Sequence, residues 1–441
     1  MELNPLFLER MKKLLGDQYE DYLKFVSCPP FKGLRINTLK ASYDCIKLNM
    51  PTLLKESVFC KNVYHLPNDI QALGNHPLHH SGGFYLGDPS ATSAVAALVA
   101  KPGDIVLDLC ASPGGKTVGI ACALEGEGFL VSNEVVSSRI QPLISNIERM
   151  GIRNIAITNA HPDQFAAKAE GKFSKVLVDA PCSGEGMMLR DGQANANWSE
   201  KNIEACAERQ RKILESAAKC VAAGGTLVYS TCTFAPEENE QNVEWFLESH
   251  PDFAIEEINA NFGIPAFDHL CQRKDIAKAR RIFPMQGGDG HFVARFRKIG
   301  ESKPQLEKIK PKKSAIFEEF WAQNFICDLP QYIVNQDKVF ICPYNLDFLP
   351  HVVRFGVFAG YIKGNRFDPA HSLYSAFGAQ AKSSINLSVS DPLLADFLKG
   401  LEIPCENSGY TAVLVCGMPL GFGKASGGRL KNHYPKGLRV L

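Results

Sequence analysis

Tryptophan is scarce in this chain, with 3 among 441 residues, and net charge is nearly absent at +1. A balance of 48 basic and 47 acidic residues exerts no global pull toward a polyanion. Any nucleic-acid site must therefore come from local clusters of Lys and Arg. No apolar run approaches the roughly 18 residues of a membrane span, so no membrane partner is expected. The opening stretch MELNPLFLERMKKLLG reads as an amphipathic helix and not as a signal peptide, because acids and bases interrupt it. Among the 14 cysteines there is no Cys-x-x-Cys and no spacing suited to zinc. With no export signal, a reducing, cytoplasmic setting is expected. His76-Pro77-Leu78-His79-His80 has no nearby acid or cysteine to complete a ligand set, so no metal is expected. Internal repeats are missing as well, which excludes repeat architectures.

What is present is ordinary for a soluble globular protein, with 45% hydrophobic and 22% charged residues. The length implies two or three domains. Residues 1–30 carry helical spacing in Leu6, Phe7, Met11, Leu14 and Leu15 and stop at Cys28-Pro29-Pro30. The run Phe31–Lys40 alternates basic and apolar residues and offers Arg35 and Lys40 to a phosphate backbone; a solvated edge strand is the alternative. Ala91–Ala100 reads as a helix capped by Ser90 or Asp88.

From residue 103 strands alternate with helices, which signals a parallel sheet. Strands are predicted at Ile105–Leu109, Phe129–Asn133, Ile155–Asn159, Lys175–Val178, Thr226–Ser230 and His291–Arg297. Helices are predicted at 116–125, 137–150, 201–222 and 237–249. The fold class is therefore α/β, a doubly wound Rossmann-like sheet. Residues 299–313, Lys-rich and broken by Pro, read as a linker. Beyond it lie β-like runs at Lys338–Cys342, Val352–Tyr361 and Tyr410–Cys416. The resulting division is 1–85, 86–298, the linker 299–313, and a β-rich region 314–441. The closing stretch 421–439 carries Lys424, Arg429, Lys431, Lys436 and Arg439 for phosphates, with Phe422 and Tyr434 for stacking on bases. A solvated basic tail is the competing reading.

Two cysteines stand apart from the rest. Cys182 in Val-Asp-Ala-Pro-Cys-Ser-Gly-Glu-Gly-Met and Cys232 in Val-Tyr-Ser-Thr-Cys-Thr-Phe each follow a strand-like run. Residues just past the carboxyl ends of parallel strands line the ligand crevice, so both thiols and Asp179 are expected to face one pocket. Two thiols with a carboxylate suit covalent chemistry on an electron-poor ring. The first strand ends in Asp108-Leu109-Cys110-Ala111-Ser112-Pro113-Gly114-Gly115-Lys116-Thr117. Its Gly-Gly-Lys-Thr is not a phosphate loop, because Cys110 stands where that motif needs glycine. A glycine turn opening a helix still admits a nucleotide-like ligand, and Glu134 lies where an acid binds ribose, or else caps a helix start.

These three motifs, in this order and spacing, resemble the S-adenosylmethionine-dependent RNA cytosine-C5 methyltransferases. The C-terminal Gly-Phe-Gly-Lys…Leu-Lys-Asn-His-Tyr-Pro-Lys-Gly-Leu-Arg resembles the RsmF-type enzymes that act on small-subunit rRNA. The resemblance implies an N-terminal α/β RNA-binding domain, a catalytic domain and a PUA-like C-terminal region. It implies S-adenosylmethionine as cofactor, 16S rRNA or the small ribosomal subunit as partner, and a monomer. It makes Cys232 the nucleophile, Cys182 the group that promotes release, Asp179 the contact to the cytosine N3 edge and Lys116 a neighbour of the reacting base. Cofactor contacts are implied at Cys110, Ala111, Ser112, Pro113, Gly114, Gly115, Lys116, Glu134 and Asp179. His161 occupies the place of the usual adenine-binding acid, which leaves Asp163 or a backbone group for that contact. Arg190 is expected to guide RNA or to fix its loop. A tRNA cytosine methyltransferase and a non-catalytic RNA-binding assembly factor are the rival readings.

Overall fold

The computed structural model describes residues 3–440 apart from positions 51, 53, 71, 189, 191 and 311. Its centre is a sheet built from β1 (Ile105–Asp108), β2 (Phe129–Asn133), β3 (Ile155–Thr158), β4 (Phe173–Asp179), β5 (Val221–Thr231), β6 (Arg280–Ile282), β7 (His291–Lys298) and β8 (Val352–Phe355). The spatial order is β6-β7-β5-β4-β1-β2-β3-β8. Pairs among β1 to β5 are parallel, whereas β7 pairs antiparallel with β5. β1 to β3 are buried along their whole length, as expected of strands covered on both faces. Strand order reverses between β1 and β4, and ligands bind outside the carboxyl ends at such a point.

The predicted strands and helices of this sheet are all present. The structure adds the short helix Pro162–Lys168 and an edge strand that the sequence put elsewhere. The predicted run Val352–Tyr361 is divided at Gly356, where φ is +51° and an added Cβ would lie 1.8 Å from the Ile341 carbonyl oxygen. The half before it is β8, which pairs antiparallel with β3. The half after it, Val357–Lys363, joins a four-stranded C-terminal sheet. Cys342 and Leu349 bury themselves in the core of the central sheet.

At the N-terminus, Pro5–Leu15 and Tyr19–Val26 are helices that lie over the catalytic loops, with Phe7 against Trp198 and Tyr22 against Phe234. Lys32–Ile36, Lys55–Glu56, Val63–Leu66 and Phe84–Gly87 form a small antiparallel sheet. Leu34 and Ile36 share one apolar core with Val413, Val415 and Leu430 of the five-stranded C-terminal sheet and with Tyr434 just beyond it. The two ends of the chain are thus packed together. Asp88 accepts from the Ser90 and Ala91 amides at 3.2 and 3.1 Å and so opens the 3-10 turn Ser90–Thr92, whereas the helix Ser93–Leu98 that follows has no side-chain cap of its own.

Candidate active site

β4 delivers Asp179 to the point where strand order reverses. Lys116, in the first turn of the helix Gly115–Leu124, places Nζ 2.7 Å from Asp179 Oδ2. Ser230 Oγ donates to Oδ1 at 2.9 Å, and His291 Nε2 lies 3.8 Å from the same oxygen. Burial pushes the Asp179 carboxyl up, but the Lys116 ammonium beside it and the donated hydrogen bonds outweigh burial and hold it below its usual range. Burial likewise pushes Lys116 down, and the Asp179 charge more than reverses this. His291 is driven down to about 3, first by burial and then by Lys116. It is therefore neutral at physiological pH, and Lys116 is the counterion of Asp179.

The two thiols meet beside this pair. Cys182 Sγ and Cys232 Sγ are 3.3 Å apart. The hydrogen bond with Cys232 and then burial push the Cys182 thiol well up, so Cys182 is an S–H group that can donate to Cys232. Their loops are latched to each other. The Gly186 amide donates to the Cys232 carbonyl at 2.9 Å, and Ser183 Oγ sits 2.8 Å from Thr233 Oγ1. Buried Glu185 accepts from Thr233 Oγ1 at 3.0 Å, the Phe234 amide at 2.9 Å and Trp198 Nε1 at 2.8 Å.

The loop Cys110–Lys116 is fixed from the β2 side. The Ala111 amide donates to the Asn133 carbonyl at 2.8 Å, Arg139 Nη2 to the Ser112 carbonyl at 2.7 Å, and Asn146 Nδ2 to the Pro113 carbonyl at 2.8 Å. Gly114 adopts φ +112°, a conformation that favours glycine. A cavity of about 230 Å³ opens here, lined by Cys110, Ser112, Lys116 and Asp179 on one wall and by Arg35 and Tyr85 on the other. Buried Glu134 accepts from the Val136 amide at 2.8 Å and so shapes the turn after β2, but it makes no cap bond to the helix start that follows. A glycine turn at a helix N-terminus, an acid at the end of β2 and a charged pair at β4 fit S-adenosylmethionine by the chemistry of their donors and acceptors. Asp163 is exposed and paired with His161 Nδ1 at 2.8 Å; it does not line the cavity.

Several residues expected to meet RNA do something else. Arg35 is buried and lies against the helix Gly115–Leu124, where a Cβ on Gly119 would come within 2.8 Å of its Cζ. The Lys40 ammonium is spent on the carbonyls of Ser81, Arg149 and Pro419 and on Ser375 Oγ, at 2.9 to 3.4 Å. It joins three parts of the chain and is closed to a phosphate. Arg190 is bonded to Asp289 and to the Phe31 carbonyl, which makes it a loop clamp. Phe422 and Tyr434 are buried, Phe422 stacked on Tyr374 at 4.4 Å, so neither stacks on a base. The stretch 421–439 is no solvated tail: it forms strands Met418–Ser426 and Arg429–Asn432. Lys424, Arg429, Lys431 and Lys436 remain exposed, with Arg429 near Glu402 at 3.4 Å. Arg439 is half-buried against the Tyr434 carbonyl.

Sequence reasoning did not single out Ser230, His291, Glu185 or Glu238 for the site. Ser230 adjoins the quoted Ser-Thr-Cys motif and Glu185 lies inside the Pro-Cys motif, so proximity was the one signal for them. For His291 there was none.

Known proteins resemble nearly the whole chain in sequence and its larger part in fold. Residues 95–297 match the family described as 16S rRNA methyltransferase RsmB/F. Residues 3–89 match the N-terminal domain of 16S rRNA methyltransferase RsmF, and 384–440 the methyltransferase RsmF PUA domain. "Ribosomal RNA small subunit methyltransferase F" of Vibrio cholerae serotype O1 is 32% identical, over 98% of this chain and 96% of the relative. The protein of that name from Vibrio vulnificus is 30% identical over 99% and 97%. A solved methyltransferase homologue from Pyrococcus horikoshii has a TM-score of 0.60 at 29% identity, covering 67% of this chain and 95% of its own. NSun6 from Pyrococcus horikoshii, solved with SFG, shares the fold with a TM-score of 0.58 at 21% identity, over 67% and 98%. With its motifs, fold and full-length relatives in agreement, the chain belongs to the RsmB/F family of 16S rRNA methyltransferases.

Proposed function

We propose that this chain methylates C5 of a cytosine in small-subunit rRNA, with Cys232 forming a covalent bond to C6 and Cys182 assisting release. The observation that carries the reading is the meeting of two thiols at 3.3 Å beside the Lys116–Asp179 pair. C5 of cytosine is too weak a nucleophile to take a methyl group unaided. Addition of the Cys232 thiolate at C6 turns the ring into an enamine, which splits one hard step into easier ones. S-adenosylmethionine, held by Cys110–Lys116 with Glu134 on the ribose, supplies the electrophilic methyl group. Asp179, kept ionised by Lys116, accepts from the exocyclic amine of the cytosine, and the Lys116 ammonium beside it donates toward N3 as negative charge develops there. Lys116 is the cationic donor beside it, and a preformed pair of this kind stabilises charge that develops in the ring. Water then takes the C5 proton, the C–H electron pair forms the C5–C6 double bond, and the C6–S bond breaks with its pair returning to the Cys232 sulfur, to which the Cys182 S–H donates.

The target base must leave its stack to reach the thiols, as the handling of bases by methyltransferases requires. We read residues 1–85 and 314–441, with Lys424, Arg429, Lys431 and Lys436 outermost, as the RNA-holding parts, and 86–298 as the catalytic part, joined by 299–313. We further propose that the protein works as a cytoplasmic monomer on 16S rRNA or the small subunit.

The test is nucleoside mass spectrometry after incubation with S-adenosylmethionine and, separately, 16S rRNA, assembled 30S subunits and bulk tRNA. New 5-methylcytidine in either rRNA form is expected. Product in tRNA alone would replace the substrate, and none anywhere despite bound cofactor would overturn the catalytic reading. On denaturing gels Cys182→Ala should accumulate a protein–RNA adduct and Cys232→Ala should form none.

A further inference from the structure

Pro181, Cys182 and Ser183 hang from one buried carboxylate that the chemistry above does not use. Glu238 Oε2 accepts from the Ser183 amide at 3.0 Å and from Gln210 Nε2 at 2.7 Å, while Oε1 accepts from Ser183 Oγ at 2.5 Å. Gln210 Nε2 also donates to the Pro181 carbonyl at 3.0 Å. Both neighbours of Cys182 are therefore fixed through the same two side chains. Behind them, Tyr229 OH lies 2.8 Å from Gln210 Oε1 and 2.6 Å from the Glu238 carbonyl, and Asn242 Nδ2 donates to Gln210 Oε1 at 2.9 Å. Glu238 is fully buried, and burying a carboxylate is costly unless its lone pairs are filled. Here those lone pairs are filled by an amide, a hydroxyl and a carboxamide.

The loop of Cys232 is held by other groups. Besides the Gly186 amide and Glu185, Asn239 Nδ2 donates to the Thr233 carbonyl at 2.9 Å and Thr231 Oγ1 donates to Asn239 Oδ1 at 2.6 Å. Within this network the two loops are tied by Ser183 Oγ with Thr233 Oγ1 and by the bonds from Ser183 to Glu238, whose own backbone stands in the loop after β5. Losing Glu238 thus loosens the Cys182 side and leaves the Cys232 side in place.

We infer that Glu238 is a positioning residue for product release: it fixes Cys182 against the Cys232–C6 bond and so governs elimination but not attack. This rests on the covalent reading above. The experiment follows adduct formation and 5-methylcytidine release separately, in quenched single-turnover reactions with 16S rRNA and S-adenosylmethionine. Glu238→Ala is expected to form adduct within about threefold of the wild-type rate and to release product roughly 10- to 100-fold more slowly, the scale of a misplacement near 1 Å. Glu238→Gln keeps one oxygen for the Ser183 amide and Gln210 and can donate to Ser183 Oγ, so it should restore most of the release rate. Ser183→Ala, which removes the hydroxyl alone, should slow release to a lesser degree.

Fast release in Glu238→Ala, or attack slowed as much as release, would overturn the inference. So would a Glu238→Gln as slow as Glu238→Ala, which would make the charge the active property. If Glu238→Ala fails to fold, Ser183→Ala decides, and wild-type release in it would overturn the inference. Cys182→Ala is the control. Adduct there without adduct in Glu238→Ala defeats only this inference, whereas no adduct there defeats the covalent reading itself.

Discussion

Arg281 and Glu240 are the most deeply buried ion pair among the described residues, with side chains 2% and 0% exposed. Arg281 Nε donates to Glu240 Oε1 at 2.6 Å, Nη2 bonds Oε2, and Nη1 donates to the Phe234 carbonyl at 2.8 Å. Glu240 Oε1 also takes the Phe267 amide at 3.0 Å, and the guanidinium lies 4.9 Å from the Phe267 ring centre. Arg281→Met removes one partner and leaves a carboxylate without its counterion, which costs about 3–5 kcal/mol in buried pairs. It also strands the Phe234 carbonyl, for about 1–3 kcal/mol more. Glu240→Leu should cost a similar amount for the opposite charge. Replacing both removes the charge problem but leaves the stranded carbonyl and amide, so the double variant should lose only about 2–4 kcal/mol, far short of the sum. Urea unfolding followed by the fluorescence of Trp198 and Trp245 reads all three. Single losses below about 1 kcal/mol, or an additive double variant, would refute the reading of this pair as two buried charges that each depend on the other.

Three further outcomes are expected. Burial drives Asp108 from 3.8 to about 7, with Thr117 Oγ1 donating to Oδ2 at 2.6 Å and Oδ1 unpartnered. Because the folded value lies above the unfolded one, the penalty is absent at low pH, grows as pH rises toward 7 and is complete above it, at about 1.4 kcal/mol per unit. The Tm of Asp108→Asn should therefore gain on wild type between pH 5 and pH 8; an equal gap at both would sink this account. Lys116→Met leaves burial to act on Asp179 without its counterion, so the acid limb of the single-turnover pH–rate profile should move upward, and an unmoved limb would show that Lys116 is not that counterion. Lys424→Ala with Lys431→Ala should weaken rRNA binding at all sites alike and lower the slope of log K against log salt by about 0.7–0.9 for each phosphate no longer neutralised. A slope unchanged by both would remove them from the RNA face.

Strands β1 to β5 were legible because each holds a short apolar run closed by a turn, and because the residues that carry chemistry sit at strand ends. Strand-end position alone predicted that the two thiols approach each other, and they meet at 3.3 Å, whereas the cavity is lined by Asp179 and by neither thiol. β8 was not legible, since the run Val352–Tyr361 looks continuous and only the close approach of Gly356 to Ile341 divides it between two sheets.

Cations were the chief error, and the reason is general. Charge pattern along a chain shows where a Lys or Arg stands but not which backbone groups will surround it. In the N-terminal sheet, alternation puts Leu34 and Ile36 into the apolar core and turns Arg35 to the face that meets the catalytic helix, where Gly119 leaves room for it. Lys40 ends among carbonyls drawn from residues 81, 149 and 419, an environment assembled by tertiary folding alone. A long basic side chain suits such a junction because its apolar stem packs while its head takes several carbonyls. The same folding explains why Glu238 was unreadable: its partners Ser183 and Gln210 come from β4's loop and a distant helix. What sets the spacing of the two thiols is therefore the packing of loops after β4 and β5 on the helix Glu200–Cys220, and the motifs supply only the groups that this packing brings to 3.3 Å.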